Sequence, residues 1–230
     1  MPLQRHAGPS LLALILVYVA LIIAGGATLT AGFHVPHDSA LAVAFVDQHS
    51  FAICWGSFCE FGSAIPLGIF MAAVTSRLRF LGIRAAGEQI AAFGGVAATI
   101  MLAGSALATW SLTRPGIAEL PGAVAALQSI AFDGGGPAFA VFLGLFVAGV
   151  SVSAGKSNLL PRWLMALGLV VAAAAELSSL TLLNFTAGYF IPVARFLSIV
   201  WMFGVALKLP AALPMTETTG LEPAERRVIV

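Results

Sequence analysis

Six stretches of this chain are each apolar over roughly the length of a membrane crossing, and that fixes the solvent before any fold is considered. They run over 10–31, 51–74, 89–112, 137–154, 161–183 and 188–207. Spanning a hydrocarbon core takes about 20 mostly apolar residues in a helix, and a helix satisfies its backbone polar groups internally, as lipid demands. Charged residues make up only 9% of the 230 and hydrophobic ones 60%, whereas a soluble domain carries roughly 25% charge. The expected fold is therefore all-α, a polytopic transmembrane helical bundle of about six spans. It forms one domain over 1–212, followed by a polar cytoplasmic tail over 213–230. The formal net charge is +1, with no basic patch interleaved with aromatics, so nucleic-acid binding is excluded.

Lysine and arginine concentrate on cytoplasmic flanks, and here they alternate from one connection to the next. Arg5 precedes the first span, Arg77, Arg79 and Arg84 follow the second, Lys156 and Arg162 lie between the fourth and fifth, and Lys208 follows the sixth. The opposite connections carry only Arg114. Both termini are thus expected in the cytoplasm. The first span, with Arg5 before it and Gly25-Gly26-Ala27 at its end, has the outline of a signal peptide. Its apolar character continues through Ala31, so a retained helix is expected. Each of the two longer outer connections is expected to hold a short interfacial segment, one capped by Asp38 and the other opened by Pro121. Asp133-Gly-Gly-Gly-Pro137 reads as a flexible turn, with Asp133 capping the fourth span. Cys54 and Cys59, five residues apart, point about 140° from each other on a helix and read as small buried thiols.

An ionisable side chain inside a bilayer costs at least ~2.5 kcal/mol on insertion scales, so each one asks for a function. Three spans carry one such residue apiece: Glu60, Glu176 and Arg195. At about 1.5 Å per residue, they lie about 14, 12 and 10 Å from the outer ends of their helices. One level in the outer half of the membrane therefore holds all three. Arg195 is expected to pair with Glu176, Glu60 or both, because removing one partner of a buried pair strands the other. Guanidinium also binds carboxylate and phosphate in bidentate fashion. The cluster thus suits a small anionic ligand, an ion or a lipid head group, and equally suits a polar network that only fixes helix register.

A second group, His34, His37 and His49 with Asp38 and Asp47, lies on the outer side and has donors that suit a transition metal. Its spacing is unspecific, and no metal site is assigned. The zinc-protease, nucleophile-elbow and Walker patterns are absent from the sequence. No histidine lies within a span and no lysine lies mid-membrane, so no cofactor is expected.

The stretch Leu159-Leu-Pro-Arg-Trp-Leu-Met-Ala-Leu-Gly-Leu-Val170 enters the fifth span from the cytoplasm, and the closing span carries Pro192 and ends near Lys208. In these features the chain resembles a family of bacterial six-helix membrane proteins defined only as a domain of unknown function. The resemblance implies a bacterial plasma (inner) membrane and brings no activity or site residue with it. The expected function is ligand, ion or lipid binding at Glu60, Glu176 and Arg195, as a transporter component or sensor. The alternatives are a membrane-embedded enzyme with an outer metal site and a structural partner in a membrane assembly. Oligomeric state is not legible.

Overall fold

A computed structural model describes residues 6–28, 39–117 and 119–212. Its helices are α1 (Leu11–Thr28), α2 (Ser39–Phe80), α3 (Ala86–Ser111), α4 (Pro121–Asp133), α5 (Phe139–Lys156), α6 (Arg162–Leu177) and α7 (Phe190–Lys208). A π-helical turn, Gly134–Ala138, joins α4 to α5 without a break, and short 3-10 turns bridge α6 to α7. The result is six helical rods. Five of them, Val43–Phe80, Ala86–Ser111, Pro121–Lys156, Arg162–Leu182 and Phe185–Lys208, are long and apolar enough to cross a membrane, and α1 adds a shorter apolar helix. The chain is a multi-pass membrane protein of helices alone among the described residues.

The rods pack in chain order, α1 on α2, α2 on α3, α3 on α5, α5 on α6 and α6 on α7, and α7 returns to α1 to close a ring. Both ends of the described chain meet at one face. The His6 backbone N–H donates to the Ala211 carbonyl at 2.8 Å, and Arg77 Nη1 donates to the Leu209 carbonyl at 3.3 Å. Six antiparallel rods in sequence bring the two ends to the same face. The inside of the ring is filled by Phe70, Phe146 and Trp201, all fully buried. Their rings meet edge to face at 6.5 and 5.9 Å, the arrangement that their quadrupoles favour. Large apolar side chains such as Phe93, Ile100, Leu183 and Phe196 face outward, which only a lipid solvent makes ordinary.

Lipid gives apolar side chains no reason to leave it for a neighbouring helix, so close backbone approach does more of the packing. At the α3–α5 seam a Cβ on Gly94 would lie 2.6 Å from the Phe146 backbone nitrogen and 2.7 Å from the Phe142 carbonyl oxygen. Across the same seam, a Cβ on Gly149 would run into the Gly87 carbonyl. Only glycine permits this contact.

Two expectations from sequence are corrected. The outer segment before the second span is not separate: α2 runs unbroken from Ser39 to Phe80. The Asp133–Pro137 stretch is no flexible turn either, since the helix passes through it as the π turn, and Asp133 makes no side-chain capping bond. The reason is mutual packing of the outer extensions. Val46 and Ile53 of α2, Leu112 after α3 and Val124 of α4 bury one another in a small second core, with Ile117 and Leu127 against it. Buried on that core, the start of α2 and the whole of α4 continue without a break into the long apolar rods that follow them. Asp38, Ala31 and the tail over 213–230 lie outside the described residues.

Candidate functional site

The seam that closes the ring is the looser one, and it holds a cleft. Small residues on α1 and α2, Gly25, Gly26 and Gly56, leave a space of about 270 Å³ between these helices and α7. Tyr18, Leu21 and Ile22 of α1, Glu60 of α2, and Arg195, Phe196 and Ile199 of α7 complete its walls. Glu60 and Arg195, on non-adjacent stretches of sequence, therefore line one cavity.

Each charge is held at its own wall. Ser105 Oγ of α3 lies 3.4 Å from Glu60 Oε1 and also donates to the Ala131 carbonyl at 2.9 Å, at the end of α4. Gly135 of the π turn packs against the same place, where a Cβ would come within 3.5 Å of Glu60 Oε1. The π turn thus lets the α4–α5 rod approach Ser105 and Glu60. Arg195 lies with its guanidinium carbon 5.0 Å above the Phe139 ring, within cation–π range. No nitrogen of Arg195 comes within 4.0 Å of a Glu60 oxygen, and the ion pair among the described residues is Arg79 with Glu88. Tyr18 lines the cleft together with both charged residues. Opposite charges face each other across a gap.

Glu176 stands apart. It lies on the exposed side of α6 one residue before the helix ends, and it is not among the cleft residues. Its side of α6 is turned away from the neighbouring helices, whereas Arg195 of α7 lines the cleft. Of the three residues expected at one level, the structure brings Glu60 and Arg195 together and leaves Glu176 outside.

Of the outer histidines, His34 and His37 lie outside the described residues. His49 sits on α2 with Nδ1 2.9 Å from the Phe45 carbonyl and its ring stacked on Phe45 at 4.2 Å. Those contacts account for it as a helix-surface residue. Among the described residues no three His, Cys, Asp or Glu side chains gather as a metal site would need. Cys54 and Cys59 are free thiols, Cys59 buried, with Cys54 Sγ 3.2 Å from Thr113 Oγ1.

Sequence reasoning missed Tyr18, Ser105, Gly135 and Phe139. Tyr18 carried a signal, since it is one of only two tyrosines and sits mid-span, away from the interfacial belt where tyrosine collects. Ser105, Gly135 and Phe139 carried none, because small and apolar residues within a span are unremarkable until their neighbours are known. Comparison with family models, with curated proteins and with solved structures finds no match for this chain.

Proposed function

We propose that the α1–α2–α7 cleft binds a small molecule bearing both an anionic and a cationic group, and that the protein acts as a transporter component or a sensor for it. The carrying observation is that Glu60 and Arg195 line one cavity without touching. A carboxylate and a guanidinium buried in a bilayer recover their desolvation cost only by close pairing and hydrogen bonding. Here Ser105 and Phe139 hold them back, so a bridging ligand supplies what direct contact would have supplied. Arg195 offers a bidentate fork to a carboxylate or phosphate, Glu60 accepts from an ammonium group, and Tyr18 adds a hydroxyl. Ligand pockets commonly measure about 300–1,000 Å³, so a cleft of about 270 Å³ suits a compact molecule or a head group. The apolar walls Leu21, Ile22 and Ile199 favour entry sideways from the bilayer as much as from water.

The orientation we adopt places the face with Arg79, Arg84, Lys156 and Lys208 in the cytoplasm, which sets the cleft in the outer half of the membrane. The resemblance over Leu159–Val170 supports a bacterial plasma membrane.

Binding in detergent tests the reading. Amino acids, matched simple carboxylates, matched amines and short-chain phosphoethanolamine lipids are titrated against the purified protein, with melting temperature and calorimetry as readouts. Zwitterions, free or lipid-borne, are expected to raise the melting temperature, and both Glu60→Gln and Arg195→Leu to abolish the rise. A response to simple carboxylates as large as that to zwitterions would remove the role of Glu60.

A further inference from the structure

A second site lies at the next seam of the ring, between α2 and α3, and reaches the basic face. Between α2 and α3 runs an apolar slot of about 410 Å³. It exists because its floor is small on both helices: Gly68 and Ala72 on α2, Ala92 and Gly95 on α3. The slot ends at Arg79. Arg79 also lines a separate polar pocket of about 330 Å³, shared with Arg84, Glu88 and Gln89. An apolar slot and a charged pocket therefore meet at one side chain, and together they have the form of an amphiphile.

Dimensions narrow the occupant. From Gly68 to Arg79 α2 advances 11 residues, about 16 Å at the helical rise. That matches the roughly 15 Å half-thickness of a hydrocarbon core about 30 Å thick. The slot is one leaflet deep, and its polar end lies where that leaflet's head groups lie. Charge narrows it further. Glu88 is buried and paired with Arg79 Nε at 2.7 Å, while the Arg79 side chain remains 60% exposed. Arg84 is exposed and has no acidic partner within salt-bridge distance among the described residues. The pocket thus carries one net positive charge, complementary to an anionic head group.

We infer that this site holds one anionic phospholipid of the leaflet at the basic face, an acyl chain in the α2–α3 slot and its phosphate against Arg84 and Arg79. Arg79 keeps its pairing with Glu88 and presents its remaining guanidinium edge to the phosphate. Arg84 supplies the charge that selects an acidic lipid over a zwitterionic one. The site is independent of the cleft at Glu60 and Arg195, since no residue lines both.

Native mass spectrometry of the full chain tests the assignment, after release from mild detergent in the presence of equal amounts of phosphatidylglycerol and phosphatidylethanolamine. The wild type is expected to retain one phosphatidylglycerol, with a preference of about tenfold. Arg84→Gln should reduce that preference about tenfold, the scale of one charge-assisted contact. Ala72→Phe, at an exposed position in the slot, should expel both lipids while leaving the melting temperature in lipid-free detergent unchanged. Equal retention of the two lipids by the wild type overturns the inference, as does wild-type retention by Arg84→Gln. A wild-type dimer that Ala72→Phe dissociates would give the slot to a second copy of the chain and overturn it too.

Discussion

Replacing Gly94 by alanine tests whether backbone contact between α3 and α5 holds the ring together. A methyl group there would sit 2.6 Å from the Phe146 nitrogen and 2.7 Å from the Phe142 carbonyl oxygen, whereas ordinary contact starts at 3.4 Å. The difference between 3.4 and 2.6 is 0.8 Å, and both obstacles are backbone atoms of a helix, so α5 must retreat as a body. A gap of about 0.5–1 Å forfeits a quarter to a half of each contact's dispersion energy, and overpacking of this kind costs about 1–3 kcal/mol. Alanine also stabilises a helix by about 0.8–1.0 kcal/mol relative to glycine, which would mask part of the loss. Gly104, ten residues further along the same helix, supplies the control, because a Cβ there meets nothing within 4 Å. The propensity gain is common to both variants and cancels, so their difference isolates the steric cost. Gly94→Ala is expected to be about 1–3 kcal/mol less stable than Gly104→Ala. Reversible unfolding in mixed detergent micelles, followed by tryptophan fluorescence, measures it. Equal stability of the two variants, or a more stable Gly94→Ala, would refute the close-approach argument.

Arg195→Leu should destabilise the protein by removing the opposite charge across the cleft from Glu60, and the added change Glu60→Gln should restore part of the loss while Glu176→Gln restores none; thermal melts of the three variants decide, and rescue by Glu176→Gln would contradict the cleft. Arg79→Gln should cost more stability than Glu88→Gln, because it leaves a buried carboxylate unpaired at about 1–3 kcal/mol or more, whereas the half-exposed Arg79 is solvated on its own; chemical denaturation compares them. Gly168→Ala should lower the melting temperature, since its methyl would press on Ser151 Oγ and sit 2.6 Å from Trp201 Nε1, both fully buried; a fluorescence melt that matches wild type would show that α6 can give way. Reporter fusions after Arg84 and after Arg114 should report opposite sides of the membrane, and agreement between them would break the assigned orientation.

The sequence left the direction of each charge within the spans open. The helical rise alone placed Glu60, Glu176 and Arg195 near one level. Which way each points depends on rotation about the helix axis, and in a soluble protein the polar stripe reveals that rotation. Around Glu176 the small residues Ala172, Ala173 and Ser179 suggest a packed face, but Ala174 and Ala175 are equally small and are buried together with Ala172, while Ala173 and Glu176 face out. Glu60 was more readable, because Gly56 on its face left room for the cleft. The Gly134–Pro137 stretch misled for a related reason. Glycine and proline break helices in water, but here neighbouring helices bury Gly135, Gly136 and Pro137, and a π turn absorbs the missing hydrogen bond of Pro137 within a continuous rod. The outer core of Val46, Ile53, Leu112 and Val124 joins residues up to 78 positions apart, a distance across which no local pattern carries information.

The contact between α1 and α7 has a consequence for the order in which the protein is made. The cleft's walls come from the earliest and latest helices of the described chain, so no intermediate of synthesis possesses it. Glu60 is translated 135 residues before Arg195, an interval of roughly 7–27 s at about 5–20 residues per second. Throughout that interval a carboxylate waits in or beside the insertion machinery without its counter-charge. Only once α7 has been made can Tyr18, Glu60 and Arg195 share a space and the His6–Ala211 hydrogen bond tie the two ends. A ribosome stalled inside α7 would therefore leave a bundle that has α1–α6 and lacks the α7 wall of the cleft.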